Sequence, residues 1–377
     1  MSRILVLCYE YPPLGGGGGR VAAQVARALI ERGHEVKVIT GGMPHLPRRS
    51  IINGVEVIRV RSGRKREDTC SILEMIFWVL MAFPVALREA WHWRPQVMHA
   101  HFAVPTGFVA WMIHLLTRIP YVLTAHLGDV PGGVPEQTDR LFKIVKPFTI
   151  PIWRSAARVT AVSSFVSSLV QQAYGITPEV ILNGIKLAEN SSLQSSKHSE
   201  VPQLIMVGRL SVQKNPLFAL QALALLRDLP WRLQIIGEGP LSLPLYSEVD
   251  RLELQDRITF SGWLSADEVV AVMQVADILL MPSLSEGLPM VGVEALAHGL
   301  AIIGSRIGGL ADIVSEGENG QLFELSEGPQ AMVEALRPFL EDREVLSQAQ
   351  EASRKKAVAF EWSRSIDAYE KVLSREA

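Results

Sequence analysis

The stretch Ile278–Gly304, ILLMPSLSEGLPMVGVEALAHGLAIIG, decides how this chain folds. Ile278–Met281 reads as a short buried strand, Pro289–His298 as a helix and Ala301–Gly304 as a second strand. Pro289 suits a first helical position, because its missing N–H would have no partner there. A strand, a helix and a strand in succession make a parallel pair with a helical crossover.

The same alternation extends in both directions. After residue 202 it gives strands at Leu204–Val207, Arg232–Ile236 and Ile258–Phe260, with helices at Pro216–Arg227 and Ala266–Val275. Three helical stretches close the chain, the last over Trp362–Leu373. The first half gives strands at Ile4–Cys8, Glu35–Thr40, Val55–Val60, Val97–Ala100, Tyr121–Thr124, Val159–Val162 and Val180–Leu182. Helical patterns fill its gaps at Val21–Glu31, Ile72–Trp93, Thr106–Thr117, Arg140–Ala156 and Ser164–Ala173. Between the halves, Leu187–Pro202 is polar and Ser-rich and reads as a linker. The expected fold class is α/β, with two successive doubly wound domains. The boundaries are 1–186, 187–360 and a last helix over 361–377. Ligands of such sheets bind beyond the carboxyl ends of the strands, so two facing domains would hold a site in a cleft between them.

Composition agrees. Of 377 residues 48% are hydrophobic and 20% charged, with 29 Gly and 22 Pro, which excludes disordered, collagen-like and coiled-coil classes. Cys8 and Cys70 cannot build a disulfide framework or a four-Cys zinc site, which suits a cytoplasmic protein. No secretory signal or spanning helix is expected: Met75–Leu87 is short and holds Pro84, and Pro95–Thr117 holds three His. The net charge of −2 divides into +8 over residues 1–185 and −10 over the rest. Either two domains attract each other, or the first half meets an anionic partner. With a pI near 6.5, nucleic acid is not an expected partner.

Five segments carry candidate chemistry. Gly15–Gly19 follows the first strand and precedes the first helix, where glycines admit a ligand to backbone amides. A flexible loop without ligand contact is the plainer alternative. Arg209 and Lys214 lie where a loop enters a helix, and two cations there suit a diphosphate; alone, they would read as solvated surface charges. In Ser285–Glu294, the helix start offers the amides of Leu288, Met290 and Val291 to an anion. Glu286 and Glu294 break the apolar pattern there, so each needs a polar partner. His126, at a strand end, is a candidate for positioning or proton work; with His99 and His101 it has no metal-site spacing, so no metal is expected. The basic and Trp-containing flanks of Ile72–Leu87, Arg64–Arg66 before and Arg88–Arg94 after, fit an interfacial helix or one packed on the sheet.

Taken in order, these segments resemble glycosyltransferase family 4, the retaining nucleotide-sugar transferases of group 1 with the GT-B fold. The resemblance covers nearly the whole chain. It also includes Ala161–Ser163, Leu182–Ile185, Gly237–Pro240, Phe260–Gly262, Gly308-Gly309 and Asp312–Val314. It implies GT-B architecture, two Rossmann-like domains, with the acceptor in the first and a nucleotide diphospho-sugar in the second. It implies that Arg209 and Lys214 hold the diphosphate without a metal or other cofactor, doing the charge neutralisation a metal would do. Glu286 would contact sugar hydroxyls and Glu294 the ribose. Gly16, Gly17, Gly18, Gly287, Leu288, Pro289, Met290 and Val291 would complete the donor site, with His126 near the transferred sugar. The last helix would cross back to the first domain. Where the family often has an acid after Asn-Gly-Ile, this chain has Lys186, so that position is assigned no role.

The expected function is sugar transfer with retention to a saccharide or lipid-linked hydroxyl, in polysaccharide, glycolipid or cell-envelope glycan synthesis. The expected location is the cytoplasm, with peripheral membrane contact through the first domain as one reading. A nucleotide-sugar epimerase would need acid/base carboxylates that are not evident in the first half. A non-catalytic nucleotide-sugar-binding protein would have less need of Arg209, Lys214 and Glu286 together.

Overall fold

The computed structural model describes residues 1–67, 70–185, 187 and 200–376. Lys186 and most of the Ser-rich stretch read as a linker lie outside the described residues. The chain forms two compact units, Met1–Asn183 with Ser363–Ala377, and Gly184–Trp362.

The first unit runs β1 (Arg3–Leu7), α1 (Gly17–Glu31), β2 (Glu35–Gly42), β3 (Arg49–Ile52), β4 (Val55–Arg61), α2 (Ile72–His92) and β5 (Val97–His101). It continues with α3 (Phe108–Thr117), β6 (Tyr121–Ala125), α4 (Pro135–Arg154), β7 (Arg158–Ala161), α5 (Ser164–Tyr174) and β8 (Glu179–Val180). The sheet order is β3-β4-β2-β1-β5-β6-β7-β8. Among the described residues of this sheet only the β3–β4 pair is antiparallel. Residues of β1, β5 and β6 are buried on both faces, as expected of central parallel strands.

The second unit runs β9 (Gln203–Val207), α6 (Pro216–Ala224), β10 (Arg232–Ile236), α7 (Ser242–Arg251), β11 (Ile258–Phe260), α8 (Ala266–Met273) and β12 (Ile278–Met281). It then adds α9 (Met290–His298), β13 (Ala301–Ser305), α10 (Leu310–Ile313), β14 (Gly320–Phe323), α11 (Pro329–Glu341) and α12 (Arg343–Ala357). Its sheet is wholly parallel in the order β11-β10-β9-β12-β13-β14. That order reverses direction between β9 and β12, the switch point of a doubly wound dinucleotide-type fold. In the first unit the reversal lies between β1 and β5.

The last helix, α13 (Trp362–Glu376), belongs almost wholly to the first unit. Its Ile366, Tyr369, Val372 and Leu373 are buried. Tyr369 lies against His99, with ring centroids 5.5 Å apart. Arg32 bonds to Asp367 and Glu370 at 2.5 Å each, and Ser365 Oγ donates to the Leu182 carbonyl at 2.7 Å.

Four elements went unread in the sequence: β3, α7, α10 and β14. The first two are peripheral and only partly buried, so their apolar pattern is faint. The Gly-rich loop needs correction. Helix α1 begins at Gly17, inside the glycine run rather than after it. Pro289 is likewise the N-cap of α9, with φ −73° and ψ 109°, and not its first helical residue.

Replacing Tyr369 by Ala removes a fully buried ring from the contact between α13 and the sheet. The expected loss is about 3–5 kcal/mol, read as a lower urea midpoint.

Candidate active site

The second unit's switch point is built from two loops. The first leaves β9 through Gly208, whose φ of +142° a side chain would strain, as would the φ of +125° at Gly237 after β10. The two backbones nearly touch: a Cβ on Gly237 would come within 2.1 Å of the Gly208 carbonyl oxygen. Leu210 N–H donates to the Glu238 carbonyl at 3.0 Å, further tying these loops together. A short 3-10 turn, Val212–Lys214, then ends at Asn215 in the left-handed region.

The second loop, 282–289, follows β12. Leu284 N–H donates to the Gln213 carbonyl at 2.7 Å, and Gln213 Nε2 returns a bond to the Ser285 carbonyl at 3.0 Å. These two bonds align the turn with the loop and bring Lys214 Nζ to 2.6 Å from Glu286 Oε1. Ser283 Oγ donates to the same Oε1 at 2.8 Å, and Ser305 Oγ holds the Ser283 carbonyl at 2.5 Å. Gly309 fits beneath: its N–H donates to the Glu286 carbonyl at 3.1 Å, where a Cβ would collide with the Gly287 backbone.

Glu286 is therefore a buried carboxylate with a cationic partner, whereas Lys214 keeps 27% of its side chain exposed. Gly208, Arg209, Lys214 and Ser283 line one open pocket. Arg209 is exposed, and Gly287, Met290, Val291 and Glu294 are partly exposed, while Leu288 and Pro289 are buried. The arrangement sets two cations, Arg209 and Lys214, at one pocket, whose lining does not include residues 287–291 at the start of α9. Ser283 and Ser305 escaped the sequence reading, and Gln213 and Gly309 were given no role by it, because their contacts arise only when β9, β12 and β13 pair.

The first unit's switch point gathers the glycine run and the histidines. Gly16 N–H donates to Glu10 Oε2 at 3.0 Å. Gly16 and Gly17 face open space. Gly18 abuts Phe102 and His126; a Cβ there would stand 2.5 Å from the Phe102 ring and 3.2 Å from His126 Nδ1. The run thus leads into a helix start with three packed positions, Gly15, Gly18 and Gly19, and two open ones. Phe102, which the sequence reading passed over, adopts φ +74° and stacks on His126 at 4.4 Å. Such a backbone in a bulky residue is uncommon and marks an over-determined site.

His101 Nδ1 lies 3.3 Å from His126 Nε2, and His99 Nε2 lies 2.8 Å from Thr124 Oγ1. Burial lowers His99 to about 3 and His126 to about 4, and holds His101 well below its usual value, so all three are neutral near pH 7. Burial pushes the Asp129 carboxyl up to about 8, against the N–H bonds it accepts from His126, Ala103 and Val104. Among the described residues no group of three or more His, Cys, Asp or Glu is arranged to hold a metal ion.

Comparison with known proteins follows the same division. The model for "Glycosyltransferase Family 4" matches residues 15–189, and that for "Glycosyl transferases group 1" matches 189–356. The chain belongs to this glycosyltransferase family. The transferase is 25% identical over 380 residues to N-acetyl-alpha-D-glucosaminyl L-malate synthase of Bacillus anthracis, covering 99% of this chain and 95% of that one. Among solved structures it is similar to sucrose-phosphate synthase of Thermosynechococcus elongatus, with TM-score 0.85 at 20% identity, covering 100% and 99%. It is also similar to Anabaena HepE in complex with UDP-glucose, with TM-score 0.77 at 19% identity, covering all of both chains. The fold of the transferase is GT-B, as the sequence suggested.

The titrations give the transferase a defined pH response. His99 and His126 titrate below their usual 6.5, so their contribution to stability is complete above pH 6.5 and is lost as pH falls toward 4 and 3. Asp129 acts oppositely: raised from 3.8, its contribution is complete below pH 3.8 and is lost as pH rises through about 8. Melting curves from pH 4 to 9 should show a shallower acid decline in His99→Gln and a shallower alkaline decline in Asp129→Asn than in the parent.

Proposed function

We propose that this transferase moves a sugar from a nucleoside diphosphate to an acceptor hydroxyl with retention of anomeric configuration, and that it needs no metal or other cofactor. The observation that carries the reading is the Lys214–Glu286 contact at the second unit's switch point. There Lys214 and Arg209 neutralise the diphosphate as it leaves, the step in which charge develops. Glu286, oriented by Ser283 and Lys214, accepts bonds from sugar hydroxyls. Glu294 takes the ribose, and the backbone of Gly287, Leu288, Pro289, Met290 and Val291 borders the phosphates. In the first unit, the open faces of Gly16 and Gly17, with Gly18, meet the donor, and neutral His126 acts near the transferred sugar. The bound UDP-glucose of the HepE structure supports a donor of this class.

The acceptor in this reading is a saccharide or lipid-linked molecule used in polysaccharide, glycolipid or envelope glycan synthesis, at the inner face of the cell membrane. No described helix is long and apolar enough to cross a membrane. Helix α2 starts with a reciprocal Ser71–Glu74 capping box and presents Ile72, Leu73, Ile76, Phe77 and Leu80 exposed along one face. Exposed Lys65 and Arg88 flank that face, and Trp91 is 58% exposed. An apolar stripe with basic and Trp flanks suits an anionic lipid surface.

A panel of UDP-, GDP-, ADP- and TDP-sugars, titrated with EDTA present, should give one clear melting shift; a ligand at 100 times its dissociation constant adds about 2.7 kcal/mol. Lys214→Ala should then lower kcat by about 100-fold or more, with a smaller effect on donor binding. Undiminished turnover in that variant would remove Lys214 from the chemistry, and loss of activity in EDTA would overturn metal independence. Separately, Leu73→Asp with Leu80→Asp should abolish co-sedimentation with phosphatidylglycerol vesicles; equal sedimentation of variant and parent would exclude this face.

A further inference from the structure

A second cavity opens in the first unit at the carboxyl ends of β2 and β4, away from the histidines. Arg48, Arg59, Arg61 and Arg64 line it, with Met43 and Phe77 among its apolar walls and no acidic residue among the described residues of the lining. Its empty space is about 1100 Å³ including the open mouth, room for a ligand and not merely an ion.

Two of these guanidinium groups are buried. Arg59 is 6% exposed and bonds only to neutral acceptors: Ser50 Oγ at 2.7 Å and the carbonyls of Pro12 and Pro47 at 3.3 and 3.5 Å. Its Nε finds no partner, and among the described residues it has no carboxylate. Arg64 is 5% exposed and pairs with Glu10, its Nη2 3.6 Å from Glu10 Oε1; its Nη1 donates to the Glu67 carbonyl at 3.3 Å and its guanidinium lies over the Tyr9 ring, while its Nε has no hydrogen-bond partner. A buried cation without a counter-charge, as Arg59 is among the described residues, is costly, and so is each buried N–H without an acceptor. Arg48 and Arg61 stand exposed at the mouth.

Four guanidinium groups around one space, one of them buried with no carboxylate among the described residues, suit a multivalent oxyanion. We propose that this pocket binds a phosphate group carried by the acceptor. The proposal rests on reading the first unit as the acceptor side of the transferase. Two contacts join the pocket to the glycine helix start: Arg59 holds the Pro12 carbonyl, and Gly15 N–H donates to the Glu67 carbonyl at 2.8 Å in the segment that carries Arg64. Phe77 belongs both to the pocket wall and to the exposed face of α2. The phosphate therefore comes either from a lipid headgroup or from a soluble phosphorylated molecule.

Calorimetric titration of the full chain with inorganic phosphate tests the pocket, with UDP titrated into the same samples. Because Arg48 and Arg61 are exposed, Arg48→Ala with Arg61→Ala should fold and bind UDP as the parent does. Its affinity for phosphate should fall by roughly tenfold or more, while Lys214→Ala keeps the parent's affinity. Equal phosphate affinity in the arginine variant and the parent, no phosphate binding by the parent, or loss of it in Lys214→Ala would each overturn the proposal. Phosphate binding without any nucleotide binding would leave the pocket standing and remove the transferase reading. Sedimentation with phosphatidylglycerol vesicles separates the sources. A parallel loss of vesicle binding in the arginine variant assigns the pocket to a lipid phosphate, and unchanged vesicle binding assigns it to a soluble one.

Discussion

In a parallel sheet every strand delivers its carboxyl end to the same edge, and the loops that follow must share that edge. Where strand order reverses, the loops from two adjacent strands diverge and leave a notch between them. Both units of this chain are built around that constraint. In the second, β9 and β12 are neighbours, so Lys214 and Glu286 meet although 72 residues separate them. In the first, the pairing of β1 with β5 places the glycine helix start against Phe102 and His126.

The two notches handle charge in opposite ways. The second keeps a cation and an anion in contact at the rim of an open pocket. With Glu286 buried and Lys214 partly exposed, the cost of desolvating the charges offsets much of their attraction. The pair's value lies in orientation: Ser283 and the Gln213–Ser285 bond leave each charge little freedom to wander. The first notch is desolvated. His99, His101 and His126 stay neutral there because burial penalises their charged forms. A neutral imidazole beside an open glycine helix start can accept or donate a hydrogen bond without repelling an incoming group of either sign.

The glycines divide by the same logic. Gly18, Gly237 and Gly309 are places where a Cβ would strike a ring or a carbonyl, so close approach of two backbones or of a backbone and a ring sets their identity. Gly16 and Gly17 meet nothing within 4 Å. Their small size leaves the first turn of α1 free of side-chain cover, while the Glu10 carboxylate already takes the Gly16 N–H at its start.

The alternation of apolar runs with amphipathic segments was enough to establish two α/β units. Burial of central strands on both faces leaves a signal several residues long, and Arg232–Ile236 and Ile278–Met281 were legible to the residue, as was the edge strand Ile258–Phe260. Edge elements such as β3 and α7 bury less and were not. The residues of the candidate site could be named from their chemistry, since Glu286 stood out as an acid in an apolar pattern and Lys214 as a cation before a helix. That these two are partners, that Phe102 stacks on His126, and that four arginines surround one pocket was decided only in three dimensions. Local pattern encodes which face of an element is buried. Strand order brings distant segments together, and no local period in the sequence records which side chains then touch.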